Sequence, residues 1–415
     1  MAEPPGASFG RGGRQNCQNQ KTNDTMKPEA RIQRVVHSQL SWRLCNKEVE
    51  AYVTELGGHL GPVTFQLKGK PAQPFSLAPW ADEPVDPALP PLLQVLRGDF
   101  FCLPFGGNAA PYRGEQHPPH GETANGKWSF ESFETQGGRT SLSLRLRTKA
   151  RAGRVDKTIA LVEGHTAVYC RHTVSGMAGA MNFGHHPMLK FPETPGSGVI
   201  TTSPFVHGQV FPGPFELPEN CGYSFLKPGA EFDNLERVPA LTGGVADLSR
   251  YPARRGFEDL VLLISDTRVP FAWTAVTFPK QRQVWFSLKD PRLLRATIFW
   301  ISNGGRYYRP WNGRHHNVMG LEDVTSFFHL GLAESARKNL LSQKGYPTVM
   351  QLSAQKPLVV PYIMGMAALP AGFDRVASIA AGAEKDTLVL TARNGKRALT
   401  KIALDFLRPA VEGAA

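Results

Sequence analysis

No apolar run in this chain approaches the about 20 residues that a membrane-spanning helix needs. The opening MAEPPGASFG is polar and has no apolar core of the kind a secretory signal carries. No Cys-x-x-Cys pair occurs. The five cysteines, Cys17, Cys45, Cys102, Cys170 and Cys221, are odd in number and scattered, which points to reduced thiols and a cytoplasmic setting rather than a disulfide frame. Acidic residues are in deficit, 35 against 47 basic, for a net charge of +12. The excess is dispersed, so it does not read as a nucleic-acid footprint. Its densest group, Arg145, Arg147, Lys149 and Arg151, alternates with Leu142, Leu144 and Leu146, as the solvated face of a strand would. Repeats of fixed period are missing as well. What is present is a 41% hydrophobic content, enough for a substantial core. Gly (41) and Pro (34) are frequent, though below the level of a disordered chain. A length of 415 residues allows two or three average domains or one large all-β architecture.

Residues 1–33 are polar and rich in Gly, Asn and Gln, and are expected to form a disordered tail in which Met26 is a possible second start. Beyond it the pattern is strand-like. Val49 to Phe65 reads as two strands around Gly57-Gly58-His59, and Thr140 to Lys149 alternates cleanly. Lys157–Val162 and Thr166–Val174 read as a hairpin. Phe271–Phe278, Gln283–Leu288 and Arg295–Ser302 are rich in β-formers. Thr387–Thr391 and Ala398–Ile402 flank the hairpin signal Asn394-Gly395. One short helix is predicted over Ala333–Gln343, and Pro71–Pro91 reads as a surface loop. The fold class expected is all-β, a large sandwich with few short helices, forming a single domain over residues 34–412.

Three motifs fail on inspection. Gly121 to Lys127 has P-loop spacing, but Trp128 stands where a Ser or Thr must hold magnesium, and no buried strand precedes it. His120-Gly-Glu122 lacks the Pro-Cys-x-x-Cys partner of a zinc deaminase. Gly6 to Gly13 lies in the polar tail.

Four segments remain. Arg97-Gly-Asp-Phe-Phe-Cys-Leu-Pro-Phe-Gly-Gly-Asn108 could present Arg97 and Asn108 at a pocket rim. His117-Pro-Pro-His120-Gly121 is a rigid loop that aims a histidine beside a glycine. Gly184-His185-His186-Pro187 and Gly320-Leu-Glu322-Asp323-Val324 each set polar groups among apolar ones. Each segment has a bland reading: a histidine in a turn is more often structural, a His-His pair can simply alternate faces, and a glutamate can pair with an arginine. Two separated histidines and a carboxylate in apolar settings are nevertheless what proton transfer on a neutral polyol requires, since partial burial moves both pKa values toward working pH.

The run RGDFFCLPFGGN…HPPHGETANGKWSF, together with GHHPMLKF, GLEDVTSFF and PLVVPYIMGMAALPAGFDRVASI, resembles the aldose 1-epimerase, or galactose mutarotase-like, superfamily, and is nearest its glucose-6-phosphate 1-epimerase-like branch. The resemblance spans roughly residues 40–410, with the four segments in the family's order. It implies a twisted β-supersandwich whose concave face binds a sugar. On the family's pattern Glu322 matches the base that takes the anomeric proton. His186 matches the acid that protonates the ring oxygen, and His120 the histidine that binds and polarises the sugar. Arg97, Asn108, Asn125 and His185 are then candidate substrate-binding residues, and no cofactor or metal is implied. The sequence departs from the family where Ala124 and Asn125 replace a phosphate-holding arginine, where Asp99 replaces a glycine, and at His185 and Met188. A neutral sugar is therefore expected. A preference for sugar phosphates would point instead to Arg306 or Arg309.

The functional expectation is an aldose 1-epimerase-like isomerase acting on a small sugar, with no nucleic-acid or membrane partner. The alternative is a non-catalytic carbohydrate-binding β-sandwich. A glycoside-cleaving enzyme would need a second carboxylate, with Asp290 or Asp323 as candidates. A metal site would draw on His117, His120 and Glu122, or on His315 and His316.

Overall fold

In a computed structural model, residues 28–84 and 86–408 are described. The expected tail falls outside them as far as residue 27, and its last residues form a one-turn helix, Pro28–Ile32, that leads into the strand Gln33–Val36. Helices among the described residues are short, and none is long and apolar enough to cross a membrane. The chain is all-β, and its strand pairings are antiparallel.

Two large sheets face one another. A nine-stranded sheet runs in the order Arg250–Tyr251, Gly198–Thr202, Ala272–Phe278, Gln283–Lys289, Leu358–Ala368, Ala167–Ser175, Gly153–Val162, Arg139–Thr148, Ser129–Gln136. An eight-stranded sheet is centred on Phe257–Ser265, Ala296–Asn303, Val318–Thr325 and Phe183–His185. Strand alternation sorts their side chains. Val261, Leu263, Phe299, Ile301, Met319 and Leu321 pack toward Val276, Trp285 and Met364 of the other sheet. Leu260, Leu262, Ile298, Trp300, Val318 and Val324 emerge on the opposite face, where Trp80, Leu92, Leu96, Phe100, Phe105 and Trp311 from the connections cover them. A five-stranded N-terminal sheet, Gln33–Val36 to Lys70–Ala72, joins the central core. A C-terminal sheet of Val376–Ala381, Thr387–Ala392 and Arg397–Lys401 covers the outer face of the nine-stranded sheet, packing Ile379, Leu388 and Leu390 on Trp273, Phe286 and Ile363.

Two local expectations change. The helix predicted over Ala333–Gln343 is two single turns, Leu332–Ala336 and Leu340–Gln343. Asn339 separates them by capping the second turn, accepting from the Leu341 and Ser342 amides. The Pro71–Pro91 segment is not a mere surface loop. It buries Phe75, Ala78 and Trp80 and leads into the helix Pro91–Val95, which roofs the site described next.

Candidate active site

Strand Val318–Thr325 carries adjacent carboxylates to opposite faces. Asp323 enters the core between the sheets, and Glu322 emerges on the face covered by the connections, with no exposed surface. Gly320, the preceding residue on Glu322's face, makes room for it, since a Cβ there would lie 2.6 Å from Glu322 Oε1. The His-His pair divides in the same way. His185 Nδ1 meets Asp99 Oδ2 at 2.8 Å, and its ring stacks on Tyr362 at 4.2 Å between centroids. His186 turns the other way, stacking on Phe100 at 4.5 Å, and its Nε2 lies 3.1 Å from Glu322 Oε1. That contact is not aligned as a hydrogen bond, so Oε1 lacks one, and the other ring nitrogen, His186 Nδ1, has no partner either. The other carboxyl oxygen, Oε2, lies 2.5 Å from His329 Nε2.

His120 completes the group. Its ring centroid is 5.0 Å from that of His186 and 5.4 Å from that of His329. It sits at φ 59°, a left-handed conformation that is uncommon outside glycine. Gly121 follows at φ 75°, where a Cβ would lie 2.0 Å from the Leu103 carbonyl oxygen, so only glycine fits. Cys102 Sγ lies 3.3 Å from His120 Nδ1. Burial pushes the Cys102 pKa well up and favours the protonated thiol, which can donate to Nδ1 and leave the proton of His120 on Nε2.

These side chains surround a cavity of about 300 Å³ lined by His120, His186, His329, Arg306, Phe100, Phe215, Trp300, Trp311 and the leucines of the helix Pro91–Val95 and its end. His120, His186 and His329 stand on its wall. Glu322 lies behind them, touching His186 and His329. Arg306 pairs with Glu216 through Nε and lies over the rings of Trp311 (4.8 Å), Trp300 (5.3 Å) and Phe215 (5.4 Å). Burial dominates the electrostatics. It pushes the Glu322 carboxyl well above its usual range, reinforced by the neighbouring Asp323 charge and opposed by Arg306. It drives His120 and His186 well below theirs and lowers His329 to about 3. Burial thus disfavours the charged form of each of these four groups.

The other candidate residues stand elsewhere. Arg97 is buried, and its guanidinium donates to the carbonyls of Val95, Val36 and His37 rather than facing the cavity. Asn108 and Asn125 clamp the histidine loop from its two sides. Asn108 Nδ2 donates to Gly106 and Pro118, while its Oδ1 accepts from the Leu332 amide. Asn125 Nδ2 donates to Pro119 and Gly121, while its Oδ1 accepts from the Leu92 amide. His185 lies on the core side. Asp290 pairs with Arg292 and does not line this cavity. The other metal sets come apart as well. His117 pairs with Glu115, Glu122 accepts from the Lys149 and Ala150 amides, and His315 bonds Ser302. Among the described residues, the one set of three or more metal-type ligands is His186, Glu322 and His329.

The sequence reading did not single out His329. It follows Phe327-Phe328 in a connection and belongs to no motif. The signal available was a polar residue seven places after Glu322, inside the apolar run FFHLGL.

Neither a protein-family model nor a curated protein matches the sequence. Solved structures do. A galactose mutarotase-like protein from Clostridium acetobutylicum superposes with a TM-score of 0.56 at 10% identity, covering 81% of this chain and 98% of its own. A galactose mutarotase related enzyme from Lactobacillus acidophilus superposes with a TM-score of 0.50 at 12% identity, covering 79% and 97%. The fold is galactose mutarotase-like. At these identities the likeness concerns the backbone architecture, and the chemistry must be argued from the cavity itself.

Proposed function

We propose that the protein is an aldose 1-epimerase-like isomerase that interconverts the α and β anomers of a sugar. The observation that carries this reading is one buried carboxyl, Glu322, touched on each oxygen by a different cavity histidine. Mutarotation needs one proton removed from the anomeric hydroxyl and one delivered to the ring oxygen. The C1–ring oxygen bond breaks, the aldehyde turns about C1–C2, and the reverse transfers close the ring. A carboxyl that gains a proton at one oxygen while losing one at the other serves both transfers without building net charge, which suits a site where burial disfavours charge. Glu322 stands behind the wall, so His329 and His186 carry the protons between it and the sugar. The His329–Glu322 pair takes the anomeric proton, and His186 delivers one to the ring oxygen. His120, with its proton on Nε2, donates to a sugar oxygen.

Exchange spectroscopy by NMR on equilibrated α and β anomers tests the reading. The protein should accelerate exchange, and Glu322→Gln should abolish most of that acceleration. A protein that binds sugar without accelerating exchange, and binds equally well as Glu322→Gln, is the carbohydrate-binding alternative instead.

A further inference from the structure

The cavity is chemically lopsided. Its polar side-chain groups are the three histidines, Arg306 and the indole N–H groups of Trp300 and Trp311, while Leu92, Leu93 and Leu96 from the roofing helix and its end make one stretch of the lining purely apolar. Its volume of about 300 Å³ is at the small end for ligand sites and suits a single monosaccharide. Building on the epimerase reading above, we propose that the substrate is a neutral 6-deoxyhexose, bound with its methyl group against the leucine wall.

A hexopyranose brings five hydroxyls and a ring oxygen. The anomeric hydroxyl and the ring oxygen engage His186, His329 and the carboxyl behind them. Ring hydroxyls can be met by His120 and by the two amino groups of Arg306, which make no hydrogen bond among the described residues. The side chains of Leu92, Leu93 and Leu96 offer no partner to the exocyclic hydroxyl of an ordinary hexose placed against them. A hydroxyl buried there would forfeit its water with no replacement, whereas a methyl gains by leaving water. A 6-phosphate fares worse. Arg306 already has a counter-charge in Glu216, and three aromatic rings cover its guanidinium, so a dianion would be desolvated without an uncommitted cation to receive it.

The test is a panel of matched pairs followed by NMR anomer exchange with the full chain: D-fucose against D-galactose, L-fucose against L-galactose, D-quinovose against D-glucose, and L-rhamnose against L-mannose, with galactose 6-phosphate and glucose 6-phosphate added. In the pair whose ring stereochemistry fits, the 6-deoxy sugar should be exchanged about 10–100-fold more efficiently in kcat/KM than its parent, the range a hydrophobic pocket provides against an added hydroxyl. The 6-phosphates should fall below both. Leu93→Gln, at a half-buried position on the wall, should narrow that ratio by giving the hydroxyl a partner. Parent hexoses exchanged as well as or better than their 6-deoxy forms, or a ratio unmoved by Leu93→Gln, would overturn the 6-deoxy assignment while leaving the epimerase reading in place. Acceleration for no sugar in the panel would overturn both.

Discussion

Glu322 and Asp323 are neighbours in sequence, lie on one strand and are equally buried, yet their surroundings are opposite. Asp323 is fully engaged: Lys289 Nζ at 2.6 Å, Thr297 Oγ1 and Tyr362 Oη at 2.7 Å, and Ser287 Oγ at 2.9 Å. Glu322 has one oxygen held by His329 and the other without an aligned partner. Satisfied buried charge fixes a structure, because every group it contacts is placed by it. A buried carboxyl with spare capacity does little to hold the fold, and that capacity is left for the cavity histidines it touches. The comparison therefore separates a carboxylate whose partners are complete from one whose partners are not, and the proposed chemistry rests on the second.

Substitutions can break this contrast. Glu322→Gln preserves shape and removes the proton carrier. Anomer exchange should fall about 10²–10⁴-fold while stability holds or rises, because a buried ionisable group is replaced by a neutral one. A rate that survives the change would place the chemistry elsewhere. Asp323→Ala is the mirror case. It leaves Lys289 buried without its counter-charge and should cost about 3–5 kcal/mol in urea unfolding; a loss below 1 kcal/mol would mean that Asp323 is no keystone.

Arg97 sharpens the same distinction from the other side. Arg97→Met removes three donors from backbone carbonyls, one of them buried, and should cost about 2–3 kcal/mol, with KM for sugar unchanged in whatever protein still folds; a raised KM would return Arg97 to the binding site. Asn125→Ala should loosen the His120 loop, costing about 1–3 kcal/mol and lowering kcat about tenfold with little change in KM. A pure KM effect would instead indicate direct contact with substrate.

A pH slope gives a further contrast, spread over several units rather than concentrated in one substitution. Burial raises Glu258 to about 8 and Asp259 to about 7. Both stay protonated in the folded chain over a range where the unfolded chain has already released them, above ordinary values of 4.5 and 3.8. The unfolded state then binds fewer protons, so these two groups lower stability as pH rises from about 4 toward 8, by up to about 1.4 kcal/mol per unit for each. Urea melts of Glu258→Gln should show its share of the slope removed, and a slope equal to that of the parent chain would show that Glu258 titrates normally.

Much of the sandwich was legible because period-two alternation with turn residues between is a local signal. Arg139–Thr148, Gly153–Val162 and Thr387–Ala392 follow it directly. The split at Asn339 was not, since a capping residue inside a helical pattern also reads as an ordinary polar position. For the site, the motifs brought out His120, His186 and Glu322, all now around one cavity. Side-chain direction was the hidden variable elsewhere. Arg97 and His185 belong to segments that reach the site, but each points away from the cavity. Arg306 and His329 arrive from irregular connections with no spacing rule, and only the tertiary path of the chain brings them to the cavity.

The clamp on the histidine loop has a kinetic consequence. Asn108 accepts from Leu332 across 224 residues, and the cavity gathers groups from Leu92 to His329. Closing such loops is entropically slow, and contacts of this range are among the last to be secured when a β-rich chain folds. During refolding from denaturant, fluorescence of the core tryptophans should recover before sugar turnover does. The lag between the two signals would time the moment at which Leu332 docks onto Asn108 and the left-handed turn at His120 is finally held.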